Sequence, residues 1–134
     1  MRSEHLRFTC WVPHAGGCLE TVPMDQVLHR LFAAENDRDW ETLTALLDPA
    51  VTWFLVSGAT TVIRGRDDYV SRLQAAYEGR PAARFRVERF RETGHGRTMC
   101  ELVDDVGRVS VEVFDVRDGL LVTEWEFPFG SRDA

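Results

Sequence analysis

The stretch Val111 to Phe127, VEVFDVRDGLLVTEWEF, reads as two strands joined by a tight Asp118-Gly119 turn. It is apolar and β-branched, yet Glu112, Glu124 and Glu126 stand among its Val, Phe and Trp residues. Side chains two apart on a strand share a face. Ser110, Glu112, Phe114 and Val116 therefore lie together, opposite Val109, Val111 and Val113. On the next strand Leu120, Val122, Glu124 and Glu126 oppose Leu121, Thr123, Trp125 and Phe127. A glutamate on a covered inner face is a costly buried acid with a usable proton; on a solvated face it is ordinary surface chemistry. A one-residue bulge would exchange these outcomes on the last strand, bringing Trp125 inward and turning both glutamates out.

Outward from this hairpin, ARFRVERFRE, RTMCELVDD, RVSVEVFDV and LLVTEWEFPF are separated by the glycine-bearing turns TGHG, DVG and RDG, which predicts an antiparallel meander of four strands. The first half of the chain has a different period. From Pro23 onward, Val27, Leu28, Leu31, Phe32 and Glu35 recur at helical intervals, and the helix stops at ENDRD. Asp37 or Asp39 caps a second helix carrying Trp40, Leu43, Leu46 and Leu47, ended by Asp48-Pro49. VTWFLV, Val51 to Val56, is a strand, with TTVIRG as its partner across a Ser57-Gly58 turn. GRDDYVSRLQAAYEG is a third helix, with Asp67 and Asp68 in its first turn and Val70, Leu73 and Tyr77 as its apolar stripe. Three helices followed by long strands describe an α+β domain whose helices cover one face of a curved sheet.

At 134 residues and 44% hydrophobic content the chain can bury one core, so a single domain over residues 23–134 is expected, behind an N-terminal extension over 1–22 with a short strand at Leu6 to Val12. Met24, at the compositional break, is a candidate start. A net charge of −6 excludes a nucleic-acid or anionic-membrane partner, which needs a basic footprint. All sixteen basic residues are arginine. Three cysteines, Cys10, Cys18 and Cys100, with no secretory signature fit a reducing cytoplasm. The grouping Cys10, His14 and Cys18 matches no common zinc spacing, and no glycine-rich phosphate loop is present, so neither a metal nor a cofactor is expected.

The segments FAAENDRDWETLTALLDPAVTW, IRGRDDYVSRL and VEVFDVRDGLLVTEWEF, spanning about Pro23 to Phe129, resemble the nuclear transport factor two-like superfamily and in particular its SnoaL-like branch. The resemblance implies a cone: a strongly bent antiparallel sheet wrapped around three N-terminal helices, a cystatin-like α+β barrel with an apolar pocket open at one end, often in a homodimer. It also implies polyketide cyclase, ketosteroid isomerase, dehydratase or limonene-type epoxide hydrolase chemistry, or a non-catalytic binding role. The isomerase positions fall near Leu31, Phe54 and Glu112, of which only Glu112 keeps an acid. The epoxide-hydrolase acid on the last strand falls at Glu126, whereas CELVDD offers Glu101, Asp104 and Asp105 with no arginine among them.

Glu112 and Glu126 are therefore the expected catalytic pair, in a cofactor-independent enzyme doing acid/base chemistry on a hydrophobic, oxygenated small molecule. Phe32, Trp53, Tyr69, Tyr77, Phe114 and Trp125 are the expected substrate-binding residues. The alternative is a ligand-binding or dimeric scaffold protein of the same fold, with an all-apolar cavity. Glu124 is expected at the surface, paired across strands with an arginine such as Arg108 or Arg117. His29 and His95 are also expected at the surface.

Overall fold

The computed structural model describes residues 24–93 and 95–131. The expected strand at Leu6 to Val12 and the Cys10, His14, Cys18 grouping lie outside the described residues.

The element order is α1 (Met24–Asp37), α2 (Trp40–Ala45), β1 (Leu47–Ser57), β2 (Ala59–Arg64), α3 (Arg66–Tyr77), β3 (Phe85–Glu92), β4 (Arg97–Asp104), β5 (Arg108–Arg117) and β6 (Leu120–Ser131). All six strands form one sheet in the order β2-β1-β6-β5-β4-β3, curved but unclosed, since β2 and β3 stand at its two edges. With three helices against this sheet, the fold is the expected α+β cone.

The apolar stripe of α1 buries Val27, Leu28, Leu31 and Phe32 completely or nearly so. Phe32 meets Phe85 and Phe114 edge-on, at ring separations of 5.6 and 5.4 Å, which joins the helix to the sheet's inner face. The helix stops because Arg38 takes a left-handed backbone, φ 57. Its guanidinium donates to the carbonyls of Glu35 at 2.9 Å, Arg80 at 3.1 Å and Ala83 at 2.5 Å. It also lies 3.7 Å from the centre of the Tyr77 ring. The Asn36 side chain donates to the Phe85 carbonyl at 2.9 Å and accepts from the Phe85 N–H at 3.0 Å. These bonds fasten the end of α1 to the connection between α3 and β3, and so fix Glu35 one turn before it. Asp39 caps α2, accepting from the Thr42 N–H at 3.2 Å.

Two local expectations are corrected. The second helix is six residues long and releases Leu46 and Leu47, and β1 begins at Leu47 and runs through Asp48-Pro49. The reason is tertiary: Leu47 pairs with Leu121, and the Leu121 N–H donates to the Leu46 carbonyl at 2.8 Å, so the sheet captures residues that helical spacing alone would have kept. In addition β1 runs parallel to β6, so the β1–β2 hairpin joins the antiparallel meander through one parallel contact.

Register shifts at Val87/Arg89, Val109/Ser110 and Asp115/Val116 bend the strands around the helices. The last of these interrupts strict alternation. Asp115 pairs with Thr123 but Val116 with Leu121, so Val122 is the extra residue, and Leu121 and Glu124 are both buried although three apart. Glu124 and Glu126 remain on one face beyond it.

The β5–β6 turn places Asp118 at φ 52 and Gly119 at φ 78, a two-residue connection whose twist matches the strands. Nothing lies within 4 Å of a Cβ built on Gly119, so Gly119→Ala meets only the backbone penalty. We expect a loss of about 1–2 kcal/mol, read by chemical denaturation. An unchanged midpoint would mean that the turn does not hold this conformation in solution.

Candidate active site

The β1, β6 and β5 strands bring carboxyls together by register. Glu112 of β5 stands directly across from Glu126 of β6, Phe114 across from Glu124, and Cys100 of β4 across from Glu112. On the other side of β6, Trp53 pairs with Glu124 and Leu55 with Glu126. All of these face the helices. Glu112 and Glu124 are buried, 7% and 5% exposed, and Glu126 is half-buried. One carboxylate oxygen from each of the three lies within 4.8 Å of the others. Glu35 comes down from α1 to the same place.

Two adjoining hollows, of about 300 and 340 Å³, share Glu35, Tyr77, Phe85, Glu112 and Glu126 as walls. Trp53, Leu55 and Leu73 wall the second, where Glu124 also reaches it, and Leu102 and Ser110 wall the first. The pocket is thus apolar at its sides and acidic along β5 and β6, a more polar lining than expected. Its exposed wall residues include Arg72, Arg80, Arg84 and Arg108.

The electrostatics follow from burial. Desolvation, opposed by a hydrogen bond from the Tyr77 hydroxyl at 2.6 Å and helped by the charge of Glu126, pushes Glu35 from 4.5 up to about 7. Burial raises Glu112 well above its ordinary value, and the charges of Glu124 and Glu126 raise it further, with a hydrogen bond between Glu112 and Glu126 acting in the same direction. Glu124 is also raised well above its ordinary value, by burial first and by the charge of Glu126 second, against the hydrogen bond that the Tyr69 hydroxyl donates to its Oε2. Burial and the charge of Glu124 push the Cys100 thiol up to about 12, so it is no nucleophile at neutral pH. The Trp53 indole nitrogen is buried without a hydrogen-bond partner.

Such a set can hold protons in a dry place and exchange them with a ligand. The three clustered oxygens would suit a hard cation. The raised proton affinities of Glu112 and Glu124 oppose one, because a cation must displace the proton.

The sequence-expected residues divide. Glu112, Glu126, Trp53 and Tyr77 line the hollow. Tyr69 stands behind it with its hydroxyl on Glu124, its ring 5.1 Å from that of Trp53. Phe32 and Phe114 are core, 6% and 1% exposed, beneath the acids. Trp125 lies on the outer face, stacked on Phe54 at 5.9 Å with Arg97 over its ring, because the strand keeps Glu124 and Glu126 inward. Glu124 is corrected from a surface residue to a buried one: Arg108 pairs with Asp104 at 2.8 Å and Arg117 with Asp115 at 3.1 Å, leaving Tyr69 as its partner. Of the positions matched to other chemistries, Leu31 is core, Phe54 faces outward, and Glu101 pairs with Arg89 at 3.7 Å, away from the hollow. His29 and His95 are exposed, as expected.

Glu35 is the functional candidate that the sequence reading passed over. Its signal was available: a glutamate four residues after Leu31, on the apolar stripe of α1. Tyr77→Phe removes the hydroxyl that holds Glu35 ionised, so the Glu35 titration is expected to move above its value of about 7. Carboxyl-carbon NMR across pH 5 to 9 reads this directly, and an unmoved midpoint would show that the two side chains do not pair in solution.

A small cone-shaped α+β domain with carboxyls converging under its first helix defines a recognisable class. The chain belongs to the SnoaL-like domain family, whose pattern matches residues 28–125. A search of curated proteins returns no match. Among solved structures, a candidate ketosteroid isomerase from Kribbella flavida DSM 17836 superposes with a TM-score of 0.69 at 25% identity, over 81% of this chain and 79% of that one. IdmH, a candidate polyketide cyclase from Streptomyces antibioticus, superposes at 0.65 with 19% identity, over 78% and 90%. A protein of unknown function with a cystatin-like fold from Methylobium petroleophilum PM1 superposes at 0.68 with 15% identity, over 81% and 77%. Among the described residues no helix is long and apolar enough to cross a membrane.

Proposed function

We propose that this chain is a small enzyme that moves protons on a hydrophobic, oxygenated small molecule, using Glu126 as base and Glu112 as acid. One observation carries the reading: four glutamates, from α1, β5 and β6, converge on a hollow with apolar side walls, at a cost in desolvation that a passive receptacle has no use for. Glu126 is the most exposed of the three strand carboxyls and supplies the negative charge that raises its neighbours. Glu112, buried beside it, keeps its proton.

With a carbonyl compound in the hollow, Glu126 takes a proton from the carbon next to the carbonyl, and the Glu112 proton bonds to the carbonyl oxygen as charge grows there. The resulting enol is reprotonated at another carbon, which is isomerisation, or attacks a second carbonyl, which is ring closure. Each positioned proton transfer contributes about 10²- to 10⁴-fold. The names carried by the Kribbella flavida and Streptomyces antibioticus structures support this choice among acid/base chemistries.

The test needs no knowledge of the natural substrate. Hydrogen–deuterium exchange next to the carbonyl of 2-tetralone and of 3-cyclohexenone, followed by proton NMR in D₂O, should be faster with the protein than with buffer of equal carboxylate content. No acceleration for either ketone, at protein concentrations that saturate binding, sinks the proposal.

A further inference from the structure

We infer that the ligand of this hollow is an amphiphile: an apolar, oxygenated body that enters toward the glutamates, and a small anionic group that stays outside against Arg72 and Arg80. The inference rests on the hollow being a ligand site and adds the class of ligand that it selects.

Four exposed arginines stand among the walls of the second hollow: Arg72 on α3, Arg80 and Arg84 on the connection after it, and Arg108 at the start of β5. Two are already engaged. Arg84 pairs with Asp37 at 3.3 Å and Arg108 with Asp104 at 2.8 Å. Arg72 and Arg80 form no ion pair with any described residue. Arg80 is tied through its backbone, its N–H donating to Tyr77 and its carbonyl accepting from Arg38, which holds the residue in place while leaving its guanidinium uncommitted.

The charge pattern is what decides the matter. The chain carries six more acidic than basic residues, yet the exposed rim of this acid-lined cleft presents arginines in excess over their partners. A rim of this sign attracts anions, and guanidinium forks match oxyanions geometrically. The interior has the opposite preference: burial among apolar walls and the charge of Glu126 disfavour a second negative charge, so an anionic group is admitted to the rim and kept from the base of the hollow. The two preferences together orient one molecule, with its uncharged carbonyl or hydroxyl end inward, where the Glu112 carboxyl meets it.

Two probes with the same aromatic body separate the outcomes: 8-anilinonaphthalene-1-sulfonate and the uncharged N-phenyl-1-naphthylamine, each titrated by fluorescence at low salt. The sulfonate is expected to bind about tenfold more tightly, the preference shrinking as salt rises toward 0.5 M. It is expected to vanish in Arg72→Gln/Arg80→Gln, with Arg30→Gln, on the exposed side of α1, as the control that keeps it. These are exposed side chains, and a thermal melt verifies that each variant folds. Equal affinities in wild type, or a preference that survives the double variant, overturns the inference while the hollow still stands as a site for apolar ligands. Binding of neither probe overturns the inference together with the function on which it rests.

Discussion

Glu126→Gln is expected to slow carbon–hydrogen exchange by about a hundredfold or more without weakening the fold. The substitution keeps the shape of the side chain and removes the one charge that raises Glu35, Glu112 and Glu124 together. Loss of rate and gain in stability should therefore come from the same change, which is the mark of a group held where folding alone would not put it. Glu112→Gln should also lose rate strongly, because an amide donates a hydrogen bond but cannot hand over the proton. The two variants should differ in pH response, since only Glu126→Gln removes the group that accepts the proton. Side-by-side exchange rates and thermal midpoints make the measurement. Wild-type rates in both variants would retire the assignment.

The second large effect is a stability that falls as the solution becomes less acidic. Glu35 has a folded pKa of about 7 against an ordinary 4.5, so the native state binds that proton more tightly than the unfolded chain does. Its contribution is fully present below about 4.5 and is lost as pH rises through about 7. At about 1.4 kcal/mol per pH unit the loss from Glu35 is at most on the order of 3 kcal/mol. Glu112 and Glu124 are raised in the same direction and extend the decline above that window. Asp39 and Asp104, lowered by hydrogen bonds from Thr42 and Arg108, act in the opposite sense but below their ordinary 3.8, outside the range in question. Denaturant midpoints at pH 5 and pH 8 should differ by several tenths molar in urea or more, and Glu35→Gln should remove part of the difference. A flat profile between pH 5 and 8 would mean that these carboxyls are solvated.

Much of this was legible along the chain. The stripe Val27, Leu28, Leu31, Phe32 announced α1, and the Asp118-Gly119 turn announced the β5–β6 hairpin. Each of these depends on neighbours a few residues apart, and local sequence carries such information. The end of α2 was not legible, because Leu46 and Leu47 suit a helix until Leu121, more than seventy residues away, offers them a strand.

Sequence alone establishes an α+β fold of the SnoaL-like pattern and a β5–β6 hairpin that carries Glu112, Glu124 and Glu126, since hydrophobic periodicity and turn chemistry are local and short-ranged. Packing between elements distant in the chain brought Glu112 across from Glu126 and turned both inward, where an unbulged two-residue hairpin would set Glu112 across from Trp125. This arrangement turned on a bulge at Val122 that keeps Glu124 inside and Trp125 outside, on the parallel seating of β1 beside β6, and on Arg38 tying down the end of α1 so that Glu35 meets Tyr77. Whether a carboxyl is solvated or dry depends on what covers it from elements distant in the chain, and that coverage is what turns Glu35, Glu112 and Glu124 into groups able to hold a proton near neutral pH.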